Sequence, residues 1–292
     1  AYFKMKYYDN AVVAFQQFLQ RPVENGAEYV TDALLRIGDC YFITQNYEEA
    51  IENYDKAITR NSPDSDYALF QKGLSQGALG DNDQKVTTLE NVIRVYPKST
   101  YTDDAYYEIA DTYLLMNRDS EALDWFGRLT REFPNSSYKL KAEQKKGLVY
   151  YNRNDYDQAL NVLKNLVRNY PGTAESKEAL STIRNIYMDK NAVSEYFAFA
   201  ENIPFVNVTV SEQDSITYLA AENLYLNKKC NAAIPAFQEY IQRFSKGAFI
   251  LNAQYYKAEC EYSNGNMDAA LEGYEFVLQY PKSRFTENSL LR

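Results

Sequence analysis

Carboxylates and tyrosines are the reactive groups this sequence offers in number. There are 40 Asp and Glu, 28 Tyr, three Cys and no His. Paired carboxylates such as Asp103/Asp104 or Asp39/Asp111 could in principle exchange protons as general acid and base. The absence of His removes the usual general base, the Ser-His-Asp and Cys-His nucleophile systems and the commonest metal ligand. Cys40, Cys230 and Cys260 show no Cys-x-x-Cys spacing, so neither a zinc site nor a dithiol redox pair is indicated. We read all three as packing thiols. Their odd number speaks against a complete disulfide framework and leaves the compartment open. No Gly-rich phosphate loop accompanies the acids, so solvated carboxylates explain them better than catalysis. The expectation is no enzyme, no cofactor and no metal.

What remains is recognition. The formal charge is −9 and the pI about 4.8, which disfavours binding to phosphate backbones. The stretch from Lys139 to Lys190 runs the other way, with ten Lys and Arg against six Asp and Glu. It reads as a solvated surface of uneven charge, or as a site for an acidic partner. Hydrophobic residues make up 46% of the chain although mean hydropathy is −0.54. Tyr reconciles the two, because its ring fills space between helices while its hydroxyl stays wet. No run of about 18 apolar residues is present to span a membrane.

These side chains are positioned by a repeated unit, best formed from Tyr96 to Phe126. A small residue in one helix is followed twelve positions later by a small residue in a second. The pairs are Gly38/Ala50, Gly73/Lys85, Ala110/Ala122, Gly147/Ala159, Arg184/Tyr196, Ala221/Ala233 and Ala258/Ala270. The first two stand 35 residues apart and each later one 37, a period that signals a solenoid. Small residues let two helix backbones approach, and a large residue one turn later, such as Tyr54, Leu89 or Phe126, fills the space beside them. Aromatic-Pro pairs, Tyr96-Pro97, Phe133-Pro134, Tyr170-Pro171 and Tyr280-Pro281, end second helices because Pro cannot continue them. Ser99, Ser136 and Thr173 then cap the next helix.

The series Ala110, Tyr113, Ala122, Phe126 and Pro134 resembles the tetratricopeptide repeat (TPR), whose usual period is 34 residues. The resemblance implies an all-α, right-handed solenoid of antiparallel helix pairs, about seven full repeats with partial repeats at both ends. Helices are expected near 8–21, in pairs over 28–60, 65–96, 101–133, 138–170, 174–202, 214–245 and 249–281, and again from 285. The organisation expected is an array over 1–202, a non-helical segment over 203–214 and a continued array over 215–292. The fifth pair is degenerate, with Arg184 and Tyr196 in place of small residues. The β-branched run 203–210 after it is either an ordered strap or a hinge, and Ser211 to Asp214 is expected to cap the following helix.

In the family, the first helices line a concave groove that commonly takes peptides or protein segments. The resemblance carries the groove onto Asp32, Asp39 and Phe42, then Tyr67 and Phe70, then Asp104, Tyr107 and Asp111. It continues with Tyr151, with Tyr218, Glu222 and Tyr225, and with Tyr255, Glu259 and Tyr262. This is an acidic, Tyr-lined surface suited to a protein or peptide ligand with apolar and basic residues, and unsuited to nucleic acid. The competing reading is that the Tyr pack between neighbouring helices and the acids solvate the face. The family's terminal-carboxylate clamp, Lys three before the marker and Asn one after, is matched only by Asn185.

The variant Tyr96-Pro-Lys-Ser-Thr-Tyr-Thr-Asp-Asp-Ala105 is similar to the bacterial envelope branch of the family. That branch includes the assembly lipoprotein of the outer-membrane protein machine and the periplasmic coordinator of the Tol–Pal system. The resemblance implies a periplasmic or envelope location, with cytoplasm as the alternative, and a Bacteroidetes-type source. The function expected is a non-enzymatic binding scaffold, part of a larger protein. The alternative is an architectural spacer or self-assembling segment joined through open helix faces at its ends.

Overall fold

The structure is a computed structural model that describes residues 1–21, 27–280 and 282–292. Every regular element among the described residues is helical. A 3₁₀ turn at Phe3–Met5 precedes α1 (Tyr8–Leu19). Then come α2 (Ala27–Ile43) with α3 (Tyr47–Ile58), α4 (Ser65–Ala78) with α5 (Asn82–Val95), and α6 (Thr102–Leu115) with α7 (Asp119–Glu132). Next are α8 (Lys139–Asn152) with α9 (Tyr156–Asn169), and α10 (Ala174–Asp189) with a short α11 (Val193–Ala200). The chain closes with α12 (Val210–Leu226) and α13 (Cys230–Arg243), α14 (Ile250–Ser263) and α15 (Met267–Leu278), and α16 (Thr286–Leu291). Pro281, expected to end a second helix, falls outside the described residues, as does Pro22 after α1. The chain forms two compact units, Ala1–Val149 and Tyr150–Arg292.

Within each unit helices pack on their sequence neighbours, so the core is a row of small layers. The marker positions are its floor: Ala50, Ala110, Ala122, Ala159, Ala221 and Ala233 have no exposed surface. Gly38 shows why the position must be small. A Cβ there would lie 2.6 Å from the ring of Tyr54, which is itself fully buried. Lys85, the one charged residue at a second marker, is also buried, and its ammonium reaches Glu108 at 2.7 Å.

The period of 37 residues has a structural use. The extra residues between pairs place an aromatic and a Ser on the approach to α6 and α8. Ser99 and Ser136 brace this turn by accepting from the N–H of Tyr101 and Tyr138. Thr173 does cap α10, accepting from the N–H of Ser176.

The degenerate fifth pair is built differently. Tyr196, Phe197 and Phe199 are buried, so bulky side chains fill what small residues and a longer helix supply elsewhere. After α11 the chain turns through Ile203, which is buried, and residues 206–209 are neither helix nor strand. The cap of α12 falls earlier than expected. Thr209 accepts from the N–H of Glu212, and Glu212 accepts from the N–H of Thr209 at 2.8 Å, a closed capping box. Val210 to Asp214 are therefore helical, because a Thr with Glu three residues on outcompetes Ser211 as the start.

The cysteines require a correction. Cys230 and Cys260 form a disulfide, with Cα atoms 5.1 Å apart, tying the start of α13 to α14. Reading cysteines against the repeat register concealed this. Cys260 sits near a first-helix marker and Cys230 near the start of a second helix, and only the packing of α14 on α13 brings them together. Cys40 is the packing thiol expected, fully buried and with its pKa pushed up to about 11 by burial.

Candidate functional site

The fifteen residues assigned to the binding face separate into two groups. Asp39, Phe70, Tyr107, Tyr218 and Tyr255 are buried. Four of them are rings in one recurring contact. Phe70 stacks on Tyr101 at 5.3 Å, Tyr107 on Tyr138 at 4.6 Å, Tyr218 on Phe249 at 4.5 Å and Tyr255 on Phe285 at 4.5 Å. Each partner precedes the next first helix by a few residues at most, so the stack joins one repeat to the next. These rings support the face from beneath and do not present a surface.

The carboxylates are held by the tyrosines. Asp39 accepts from the hydroxyls of Tyr54 at 3.0 Å and Tyr67 at 2.7 Å, and from Arg36 at 3.2 Å. Burial nonetheless raises its pKa above the ordinary Asp value. Asp104 accepts from the Tyr138 hydroxyl at 2.8 Å, Glu259 from Tyr274 at 2.6 Å, and Glu222 from Tyr218. Asp111 pairs with Lys145. Tyr151 donates to Asp189 at 2.9 Å. The hydroxyls are thus not simply wet, as the sequence suggested. Their pKa values rise, chiefly through burial, with Tyr138 and Tyr151 pushed up to about 12. Among the described residues no group of three or more Cys, Asp or Glu could hold a metal ion.

The second group stays accessible. Asp32 is exposed and lies 3.3 Å from Arg36, while Tyr67 is half-buried. With Asp64, Asp66 and Tyr101 they surround a cleft of about 420 Å³ in the first unit. Its single cation, Arg36, is already engaged by Asp32 and Asp39. Asp66 accepts from Ser99 at 2.6 Å, whereas Asp64 is exposed with no such partner among the described residues. Asp64 and Tyr101 were missed in the sequence because they lie in the spacers, each just before a first helix, and Asp66 because it stands in the first turn of α4 at none of the groove positions of the repeat. The Asp-Ser-Asp run itself was the available signal. In the second unit Tyr225 stacks on Tyr256 at 4.5 Å, and Arg292 lies over Tyr262 and beside Glu259. Phe42 packs edge-on to Tyr47.

Profiles of the tetratricopeptide repeat match residues 31–62, then 67–99, 104–136 and 141–173, and finally 218–277. The chain belongs to the tetratricopeptide repeat family. The TPR matches leave 174–217 uncovered, the degenerate pair and the segment after it. No curated protein matches the chain. Several solved structures are similar to the chain at low identity. A tetratricopeptide repeat protein from Parabacteroides merdae is 12% identical, with a TM-score of 0.50, over 89% of this chain and 97% of that one. Naa15/Naa10 bound to HypK-THB is 12% identical, with a TM-score of 0.53, over 89% of this chain and 38% of that one. YrrB, described as having an unusual peptide-binding site, is 16% identical with a TM-score of 0.46, over 62% of this chain and 87% of that one. The TPR is a module of protein–protein interaction. No helix among the described residues is long and apolar enough to cross a membrane.

Proposed function

We propose that this TPR protein is a non-enzymatic scaffold that binds basic, apolar segments of partner proteins. The observation that carries the reading is the acidic cleft at Asp32, Asp64, Asp66, Tyr67 and Tyr101. Its carboxylates outnumber its one engaged Arg, and two Tyr rings offer apolar area at low entropic cost. A Lys or Arg beside a Leu or Phe satisfies both demands. The rings stacked beneath the face keep it rigid, so little ordering cost falls on binding.

The test is a library of capped peptides that pair Lys or Arg with Leu or Phe, read by fluorescence anisotropy. Saturable binding that falls roughly tenfold in Asp32→Lys/Asp64→Lys is expected, because two attractive charges become repulsive. Affinity unchanged by that reversal, or no peptide ligand at all, overturns the reading. Light scattering on the same samples reads self-association, the alternative outcome.

We place the protein in the bacterial cell envelope. The Cys230–Cys260 disulfide supports this, since such bonds persist in oxidising compartments and are rare in the cytosol. Thiol alkylation of the protein in its native cells checks it: both cysteines resist modification until a reductant is added. Within this reading residues 203–209 form an ordered strap between two stretches of one TPR array, anchored by buried Ile203.

A further inference from the structure

A second cleft, of about 640 Å³, lies wholly in the second unit, between α10, the strap and α12. Its volume falls in the range of ligand sites. The apolar wall is Leu180, Met188, Phe205, Val206, Ile216 and Leu219. Leu219 is 44% exposed, a large apolar side chain on open surface. Lys177 and Arg184 stand at the same cleft.

The charge here is opposite to that of the acidic cleft in the first unit. Within the basic stretch 139–190, Lys145 pairs with Asp111, Lys146 with Glu143 and Lys190 with Asp157. The side chains of Lys177 and Arg184 make no ion pair or hydrogen bond among the described residues. The carboxylate that lines the cleft, Glu212, is committed to the capping box and accepts from both the N–H and the hydroxyl of Thr209. Arg184 is half-buried at a marker position where other repeats carry Gly or Ala. Arg184 attracts Glu212 across the cleft, which helps to lower the pKa of that acid, but its side chain has no direct ion pair or hydrogen bond among the described residues, and a carboxylate from outside would supply one. The strap adds main-chain donors: the N–H groups of Asn207 and Val208 bond to nothing within the protein among the described residues.

We infer that this strap-framed cleft is a second binding site, which takes an extended polypeptide segment carrying an apolar side chain next to an Asp or Glu. The apolar side chain enters between α10 and α12, its acidic neighbour meets Arg184 and Lys177, and its backbone runs along 206–208. The inference rests on the scaffold reading but uses a different surface of opposite charge preference.

The experiment uses fluorescein-labelled octapeptides, acetylated and amidated so that only side-chain carboxylates are present. Each sets Leu or Phe beside Asp or Glu. Saturable binding to the full chain is expected. Lys177→Glu/Arg184→Glu should weaken it at least about tenfold, the worth of a charged hydrogen bond. Arg184→Gln, which keeps the side-chain bulk should the double variant misfold, should weaken it in the same direction. Asp32→Lys/Asp64→Lys should leave it unchanged, and Lys in place of the peptide acid should abolish it. Absence of saturable binding across the acidic series, or binding indifferent to Lys177 and Arg184, overturns the inference. If basic peptides still bind the first unit in that case, the scaffold reading stands without this site. Failure of both series removes both.

Discussion

At the scale of single residues, this protein runs on tyrosine hydroxyls paired with carboxylates, and the pairs are not equivalent. Tyr240 donates to buried Asp214 and accepts from the N–H of Phe249 at 3.0 Å. The Tyr107 hydroxyl is buried with no protein partner among the described residues. Tyr240→Phe should therefore cost about 1–3 kcal/mol, the penalty for stranding buried polar groups, while Tyr107→Phe should stay within about 0.5 kcal/mol. Urea denaturation of the two variants compares them directly. Asp39 gives a pH signature. Burial raises its folded pKa above the unfolded value, so the folded state holds its proton more tightly. Its contribution to stability is then lost as pH rises through that interval. Asp39→Asn should gain on the wild type between about pH 3 and about pH 7, read from paired denaturation midpoints. A variant that loses ground over that range would show that the Tyr54, Tyr67 and Arg36 bonds outweigh burial.

At the scale of elements, what distinguishes one helix pair from another is how its spacer is fastened. Stacked rings join successive repeats at four places, and the disulfide adds a covalent tie between α13 and α14. The bond closes a loop with a sequence separation of 30 residues. Loops of this size give roughly 2–4 kcal/mol, so reduction or Cys230→Ser should lower the stability of the second unit by that order. Cys40→Ala should abolish no reductant dependence, because Cys40 is outside the bond. Hydrogen exchange with and without reductant locates the loss in α13 and α14 if the assignment is right. Exchange that is unchanged on reduction would contradict it.

At the scale of the whole molecule, stability in such an array is close to a sum of layers and their nearest-neighbour interfaces. Gly38→Ala tests one layer of the first unit. Ala is the better helix former by about 1 kcal/mol, yet its Cβ would fall against the buried Tyr54 ring, and overpacking of this kind costs about 1–3 kcal/mol. Net destabilisation is expected because the Tyr54 hydroxyl is pinned to Asp39. Thr209→Ala tests the second unit and should cost about 1 kcal/mol through the lost cap. The double variant should equal the sum of the two within about 0.5 kcal/mol, measured by site-resolved hydrogen exchange. A larger discrepancy would mean that the layers do not act independently.

The sequence by itself determined the helix pairs, their register and the family. Marker residues are dictated locally: a helix crossing needs Gly or Ala, the next turn needs bulk, and Pro ends the pair. Repetition then multiplies that local signal until it is unmistakable. Tertiary structure decided what each Tyr and carboxylate does, because register states which face a residue occupies and not what stands opposite. Phe70, Tyr107, Tyr218 and Tyr255 share one register position with accessible residues, and only the ring thirty or thirty-one residues on converts them from surface into support. The same holds where the pattern fails. The cap at Thr209 and the basic cleft arise from the degenerate pair and the segment after it, the acidic cleft takes Asp64 and Tyr101 from spacers, and the bond between Cys230 and Cys260 joins two helices at positions the repeat does not fix. The period does not dictate residue type at those positions, and contacts across layers assign them a role.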